Sequence, residues 1–167
     1  AAAISELLAL DWELVQSPPA TPDVAIACGE IANRSVVEEL CMHTHLAARL
    51  QALGINIVLT GCGADELFIG YGHLLGRLHH DELQHRFLST YYRFDLRAIN
   101  KLFGGYAIEV RNPFLHRLVV QYARQIPACA LIGPSRILKA PLREPYLNEL
   151  GAMAARPKLI ARETMGV

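Results

Sequence analysis

The sequence predicts an α/β fold: a partial parallel sheet made by one βαβ unit, followed by a mainly helical C-terminal part. Three observations carry that expectation. Two short apolar runs, Asp23 to Cys28 and Ile55 to Thr60, read as buried strands. The stretch between them places Val37, Leu40, Cys41, His45, Ala48 and Leu53 at helical spacing. Beyond residue 80 the helical period recurs between glycine and proline stops.

Taken in order, Ser5 to Leu14 is a short amphipathic stretch, and Ser17-Pro18-Pro19 to Pro22 is a proline-rich turn. Ser35-Val36-Val37-Glu38 has capping-box spacing, serine to glutamate three residues on, which predicts Ser35 as the N-cap. Gly54 is the natural residue just past that helix, where a left-handed backbone ends it. Ile55 to Thr60 is β-branched and bounded by glycines. Asp81 to Tyr92 and Arg93 to Phe103 read as consecutive helices closed by Gly104-Gly105, and Pro113 to Gln125 as another with proline in its first turn. Pro141 and Pro145 restrict Ser135 to Leu150 to short helices.

The chain has 167 residues, 52% of them hydrophobic and 19% charged, with 16 basic residues against 16 acidic. Disorder needs low hydrophobicity and high net charge, so it is excluded. A zero net charge argues against a nucleic-acid protein that relies on a positive field. The longest uncharged run, Leu50 to Ala64, is 15 residues and broken by Gly54, Asn56, Gly61 and Gly63, which predicts no membrane span. Ala1 to Leu10 has no basic residue ahead of its apolar run, so no signal peptide is expected. The 4 cysteines are scattered without a CxxC pair, the pattern of free thiols in a reducing compartment, and a cytoplasmic location is expected. The apolar content exceeds what a core of this size needs, as if part of it met another polypeptide.

Thr60-Gly61-Cys62-Gly63-Ala64-Asp65-Glu66-Leu67-Phe68 is the informative segment. It is a glycine-rich turn leaving the carboxyl end of a predicted strand, the edge where open α/β sheets bind ligands. Glycines permit close backbone approach, and a carboxylate at such a rim can hold a hard cation. The same spacing also suits a plain tight turn with Asp65 capping the next helix.

The segment TGCGADELFIGY, Thr60 to Tyr71, resembles the "SGEGADE-F-GY" signature of the asparagine synthetase family. The resemblance continues in order through Asp95 with Asn100 and Lys101, then Ile108 to Leu115, similar to "(hydrophobic)-E-x-R-x-PFL". Lys139 to Arg143 is similar to "K-x-x-L-R", and Arg156-Pro157-Lys158 with Met165-Gly166 to "R-x-K…G". The resemblance implies a synthetase that activates a carboxylate with ATP and Mg²⁺, releases pyrophosphate, and lets an amine or ammonia displace AMP. Asparagine synthetases, β-lactam synthetases and lasso-peptide cyclases are variations on that scheme. Residue by residue, it implies that Thr60, Gly61, Gly63 and Asp65 meet the nucleotide, with Asp65 the Mg²⁺ ligand. It implies that Lys158 is the catalytic lysine, that Asp95 is an acidic group near the substrate, and that Cys62 and Glu66 line the substrate pocket.

Several positions depart from the family pattern. Cys62 stands where asparagine synthetases carry glutamate and β-lactam synthetases tyrosine, Ala98 where asparagine synthetases carry a substrate-binding arginine, and His116 where "PFLD" ends in aspartate. These departures point away from aspartate as substrate. The family's "SGGxDS" loop, which cradles ATP phosphates with backbone N–H groups, is not in this sequence. Residues 1–167 are thus expected to form the C-terminal half of a synthetase domain, completed by a chain or segment that carries SGGxDS. The expected substrate is small and amino-acid-like or a peptide. A non-catalytic partner that kept the fold is the alternative.

Other clusters invite weaker readings. Cys41, His43 and His45 suggest zinc, but only Cys41 and His45 share a helix face. His79-His80-Asp81 with His85 reads as a polar helix entry, and Tyr91, Tyr92 and Phe94 as core residues and not a base-stacking surface. Arg136, Lys139, Arg143, Arg156, Lys158 and Arg162 concentrate positive charge, and a phosphate-facing subset led by Lys158 is expected.

Overall fold

The computed structural model describes residues 2–15, 22–72, 80–133, 137–154 and 156. It is mostly helical with a small two-stranded parallel sheet, an α/β partial fold. By contacts the chain forms two compact units, Leu14–Cys62 with Phe87–Pro113, and Ala1–Glu13 with Gly63–Arg86 and Phe114–Val167. The helix α1 spans Ala2–Leu7 in the second of these.

The first unit is built on α2 (Pro22–Gly29), α3 (Arg34–Ala52), β1 (Ile57–Leu59), α6 (Arg97–Gly105) and β2 (Glu109–Arg111). Its core is Ala25, Val36, Val37, Leu40, Ala47, Ala98, Ile99, Leu102, Phe103 and Ile108. Asp23 to Cys28 is helical, where a strand was expected. An unbroken apolar run does not discriminate strand from helix by period. Here Pro22 and Asp23 in the first turn and alanines at 25 and 27 favour the helix. Gly29 at its end lets α2 lie on Leu40 and Ala98, since a Cβ there would collide with the Leu40 side chain.

The parallel partner of β1 is β2, in the register Ile57↔Glu109, Val58↔Val110 and Leu59↔Arg111. The crossover between them runs through α4 (Ala64–Phe68), α5 (His80–Tyr91) and α6, so the βαβ unit lies later in the chain than expected. Strand alternation turns Val58 and Val110 onto the core. Ile57, Leu59, Glu109 and Arg111 face the other way and are exposed.

Helix α3 starts at Arg34, and its cap is Asn33, whose Oδ1 accepts the Val36 N–H at 3.4 Å. Ser35 therefore lies inside the helix and is not its cap. Asparagine caps as well as serine does, and Glu38 pairs with Arg34 at 2.8 Å. Gly54 closes this element with φ +71°. Between α5 and α6 the chain opens into a single π-helical turn, Tyr92–Leu96.

In the second unit, the stretch from Pro113 divides into a 3-10 turn, Pro113–Leu115, and α7 (Arg117–Ala123). The break comes at His116, whose extended backbone and Nδ1, accepting the Leu118 N–H at 3.4 Å, cap α7. Three short helices follow as expected from the prolines: α8 (Ala128–Leu131), α9 (Ala140–Arg143) and α10 (Leu147–Leu150). Helix α4 packs against α7 and α9.

Candidate functional site

The carboxyl ends of β1 and β2 are tied together. Thr60 donates its backbone N–H to the Arg111 carbonyl at 3.0 Å and its hydroxyl to Asn112 Oδ1 at 2.5 Å. The same hydroxyl oxygen accepts the Cys62 N–H at 3.2 Å, which fixes the first turn of the glycine-rich loop. Asn112 was not singled out from sequence, although it lies within the matched stretch; its pairing with Thr60 is a long-range contact that spacing does not reveal. Among the described residues no atom lies within 4 Å of where a Cβ on Gly61 would stand, so their packing does not explain that glycine. Packing does explain Gly63: its φ is +92°, and a Cβ there would come 2.7 Å from Leu115 Cγ.

In the second unit, Asp65 sits in the first turn of α4. Gly63 is the N-cap residue, so Asp65 is not the cap. The Asp65 carboxylate instead lies across the backbone at Gly70, where a Cβ would fall on its Oδ1 and 2.6 Å from Lys139 Cε. Lys139 Nζ pairs with that Oδ1 at 2.9 Å, both side chains about three-quarters buried (25% and 26% exposed). Helix α4 ends on Ile69 in the left-handed region, φ +56° and ψ +73°. A β-branched residue there is strained, typically by about 1–3 kcal/mol. The glycine that would relieve it stands one position later, under the Asp65 carboxylate.

Glu66 is buried, 3% exposed, and accepts the Tyr71 hydroxyl at Oε1 over 2.5 Å. Phe68 stacks edge-on against Phe114, centroids 6.2 Å apart, and Gln84 Nε2 donates to the Leu67 carbonyl at 2.8 Å. These contacts seat α4 and so aim Asp65. Arg143 donates to the backbone carbonyls of Ala154 and Arg156, and to that of Leu138 at 3.5 Å. One guanidinium thereby holds the chain beside Lys139 and two residues ahead of Lys158. The sequence reads Arg143 as the arginine of the K-x-x-L-R stretch and as part of a basic cluster, without its carbonyl partners. Lys158 itself lies outside the described residues.

In the first unit, Asp95 lies in the π turn and is half-buried. Burial pushes its pKa up, and the negative charge of Glu39 adds to the shift, against a smaller opposing effect of its own backbone hydrogen bond. Single π turns recur at functional positions. Cys62 packs partly buried against the core. Ala98 is 1% exposed within that core, which leaves no volume for an arginine side chain. Burial raises the Cys41 thiol pKa, helped by Glu38, which disfavours the thiolate that zinc requires. His43 packs edge-on to Phe103 at 5.9 Å, and burial lowers its pKa against the opposing Glu39 carbonyl.

Magnesium ions take one or two protein carboxylates and complete their shell with waters and substrate phosphates. Asp65 fits that need in being cradled and partly open, while the Lys139 ammonium stands on the oxygen that a metal would take. Among the described residues no group of three or more His, Cys, Asp or Glu comes together, so waters and phosphate oxygens would supply the remaining ligands.

Comparison with known proteins points to one family. A family model described as asparagine synthase matches residues 73–158, just over half of the chain, and ends at Lys158. Asparagine synthetase B (glutamine-hydrolysing) of Escherichia coli K12 is 31% identical over 114 residues, 66% of this chain and 21% of that protein. The glutamine-hydrolysing asparagine synthetase of Asparagus officinalis is 30% identical over 110 residues, 62% of this chain and 19% of its own length. A probable asparagine synthetase of Dictyostelium discoideum is 27% identical over 123 residues, 69% of this chain and 22% of its own. The chain thus spans about a fifth of the length of these curated relatives.

Proposed function

The chain belongs to the asparagine synthase family, and from that premise we propose that it supplies part of the active site of an ATP-dependent, AMP-forming amide synthetase. A carboxylate oxygen attacks the α-phosphorus of ATP and pyrophosphate leaves. An amine or ammonia then attacks the activated carbonyl, AMP leaves, and the attacking nitrogen gives up its proton.

The observation that carries the reading is Asp65, in the first turn of α4, cradled on Gly70 with the Lys139 ammonium at 2.9 Å. When bound, Mg²⁺ would be held by Asp65 and would neutralise phosphate charge. The chain's own residues do the rest. Thr60, Gly61 and Gly63 shape the loop that approaches the nucleotide. Lys158 offers a point charge to the oxygens that become more negative as the bonds change. Asp95, half-buried in the π turn, meets the amino group of the substrate, and Cys62 and Glu66 form small and polar parts of the pocket wall. Ala98, packed where an arginine has no room, supports a substrate other than aspartate: a different amino-acid-like molecule or a peptide.

In this reading the nucleotide-binding SGGxDS half comes from another chain or segment, with which the protein forms a heteromer or a longer polypeptide. Ligand recognition is of small molecules and not of nucleic acid or membrane. No helix among the described residues is long and apolar enough to cross a membrane. The cysteines at 28, 41, 62 and 129 are free thiols, which supports a reducing, cytoplasmic setting. The buried Ala98, and a cysteine at position 62 in place of the family's glutamate or tyrosine, also favour, as a second reading, a non-catalytic partner that kept the fold.

One experiment separates the two. In the assembly with its SGGxDS-bearing partner, Asp65→Asn should weaken Mg²⁺-dependent pyrophosphate release at limiting Mg²⁺. Release unchanged by the variant removes Asp65 from the metal site and leaves the scaffold reading.

A further inference from the structure

A surface lysine beside a carboxylate is ordinarily mobile and worth little. Lys139 is different. It holds a left-handed backbone, φ +57° and ψ +37°, as the N-cap residue of α9, a conformation that is uncommon outside glycine and asparagine. Its carbonyl accepts the Leu142 N–H at 2.9 Å, and the next residue, Ala140, is 1% exposed. Its side-chain stem passes so close to Gly70 that a Cβ there would stand 2.6 Å from Cε. The backbone, the buried neighbour and the glycine together deliver the ammonium to Asp65 Oδ1 at 2.9 Å. That is the position a divalent cation bound through this oxygen would contest.

We infer that Lys139 is a resident cation of the Asp65 site: its ammonium occupies the metal's place in the unliganded protein, metal entry displaces it, and Lys139 thereby lowers the cation affinity. The inference rests on the reading of Asp65 as a cation ligand. Its physical basis is electrostatic. Two cations cannot share one carboxylate oxygen at close range without mutual repulsion, and in a site three-quarters buried that repulsion is poorly screened. Lys139 is a positioning residue here, acting through Asp65.

The test uses the full chain and Mn²⁺ alone, read by paramagnetic broadening of the backbone amide signals of Ala64 to Phe68. The parent should broaden only at high Mn²⁺. Lys139→Gln, or Lys139→Met if the first fails to give a dispersed spectrum, should reach half-broadening at about tenfold lower Mn²⁺. Lys139→Arg, which keeps the charge, should behave as the parent. Adding Asp65→Asn to either neutral variant should abolish the local broadening. In the parent itself, Mg²⁺ should move the Lys139 ¹³Cε signal as the ammonium leaves Asp65. If the neutral variants bind Mn²⁺ no more tightly than the parent while Asp65→Asn still abolishes binding, the role of Lys139 is overturned and Asp65 stands as a ligand. Broadening that ignores Asp65→Asn, or that never appears, overturns both.

Discussion

Replacing Gly70 by alanine tests whether the Asp65–Lys139 arrangement is built into the fold. The added Cβ would land on Asp65 Oδ1 and stand 2.6 Å from Lys139 Cε, so both side chains must leave their places. Overpacking of this kind costs about 1–3 kcal/mol, and the lost ion pair, a quarter exposed on each side, adds up to about 1 kcal/mol. Alanine returns about 0.4–1 kcal/mol by restricting the unfolded chain. The net expectation is a destabilisation of about 1–3 kcal/mol, read as a lower urea midpoint at constant m-value. The decisive arm repeats the substitution in an Asp65→Ala, Lys139→Ala background. There the colliding atoms are gone, so Gly70→Ala should be neutral or stabilising by up to about 1 kcal/mol. An equal cost in both backgrounds would refute the reasoning, because the penalty would then belong to the Gly70 backbone and not to the groups lying across it.

Other substitutions probe separate parts of the account. Asp95 has its pKa raised by burial and by Glu39, so ionising it opposes folding. Its stabilising protonated form is fully present below the ordinary aspartate pKa and is lost as pH rises through the raised value. Asp95→Asn should therefore stabilise the protein at neutral pH, and the gain should vanish in acid; denaturation midpoints across pH 3 to 7 measure it. His116→Asp should stabilise α7 by about 0.5–1 kcal/mol, since aspartate is a strong N-cap, and a thermal melt suffices to read it. Arg143→Lys should destabilise by about 2 kcal/mol in urea, because an ammonium cannot span the carbonyls of Leu138, Ala154 and Arg156 that the planar fork reaches. In the assembly, Lys158→Met should lower amide formation by about 10²–10³ while leaving subunit association unchanged; a loss within about threefold removes the catalytic assignment.

What could be read from the sequence was decided by how local each signal is. The helix over 34–52, its glycine stop and the strand after it follow from period and capping within a single window. The family resemblance was legible because its motifs occur in order along the chain. Asp23 to Cys28 misled because five consecutive apolar residues carry no period, and the packing of Gly29 on Leu40 and Ala98 shows why a helix fits there. The capping-box spacing at Ser35 misled because Asn33, two residues earlier, accepts the Val36 N–H and starts the helix ahead of it. The Asp65–Lys139 pair and the Arg143 fork are contacts that the K-x-x-L-R spacing of Lys139 and Arg143 does not show. No window contains them. His116, striking as a departure from aspartate, turns out to do a local job that aspartate also does, which is to cap a helix.

The central claim, that this chain contributes to an AMP-forming amide synthetase, is tested most directly by the products of ATP consumption. The chain should be assembled with its SGGxDS-bearing partner and given ATP, Mg²⁺, ammonia and a panel of amino-acid and peptide carboxylates, with phosphorus species resolved by ³¹P NMR. The account predicts AMP and pyrophosphate in equal amounts, dependent on one of the carboxylates and lost with Asp65→Asn. ADP with orthophosphate, or AMP formation indifferent to Asp65, would contradict it.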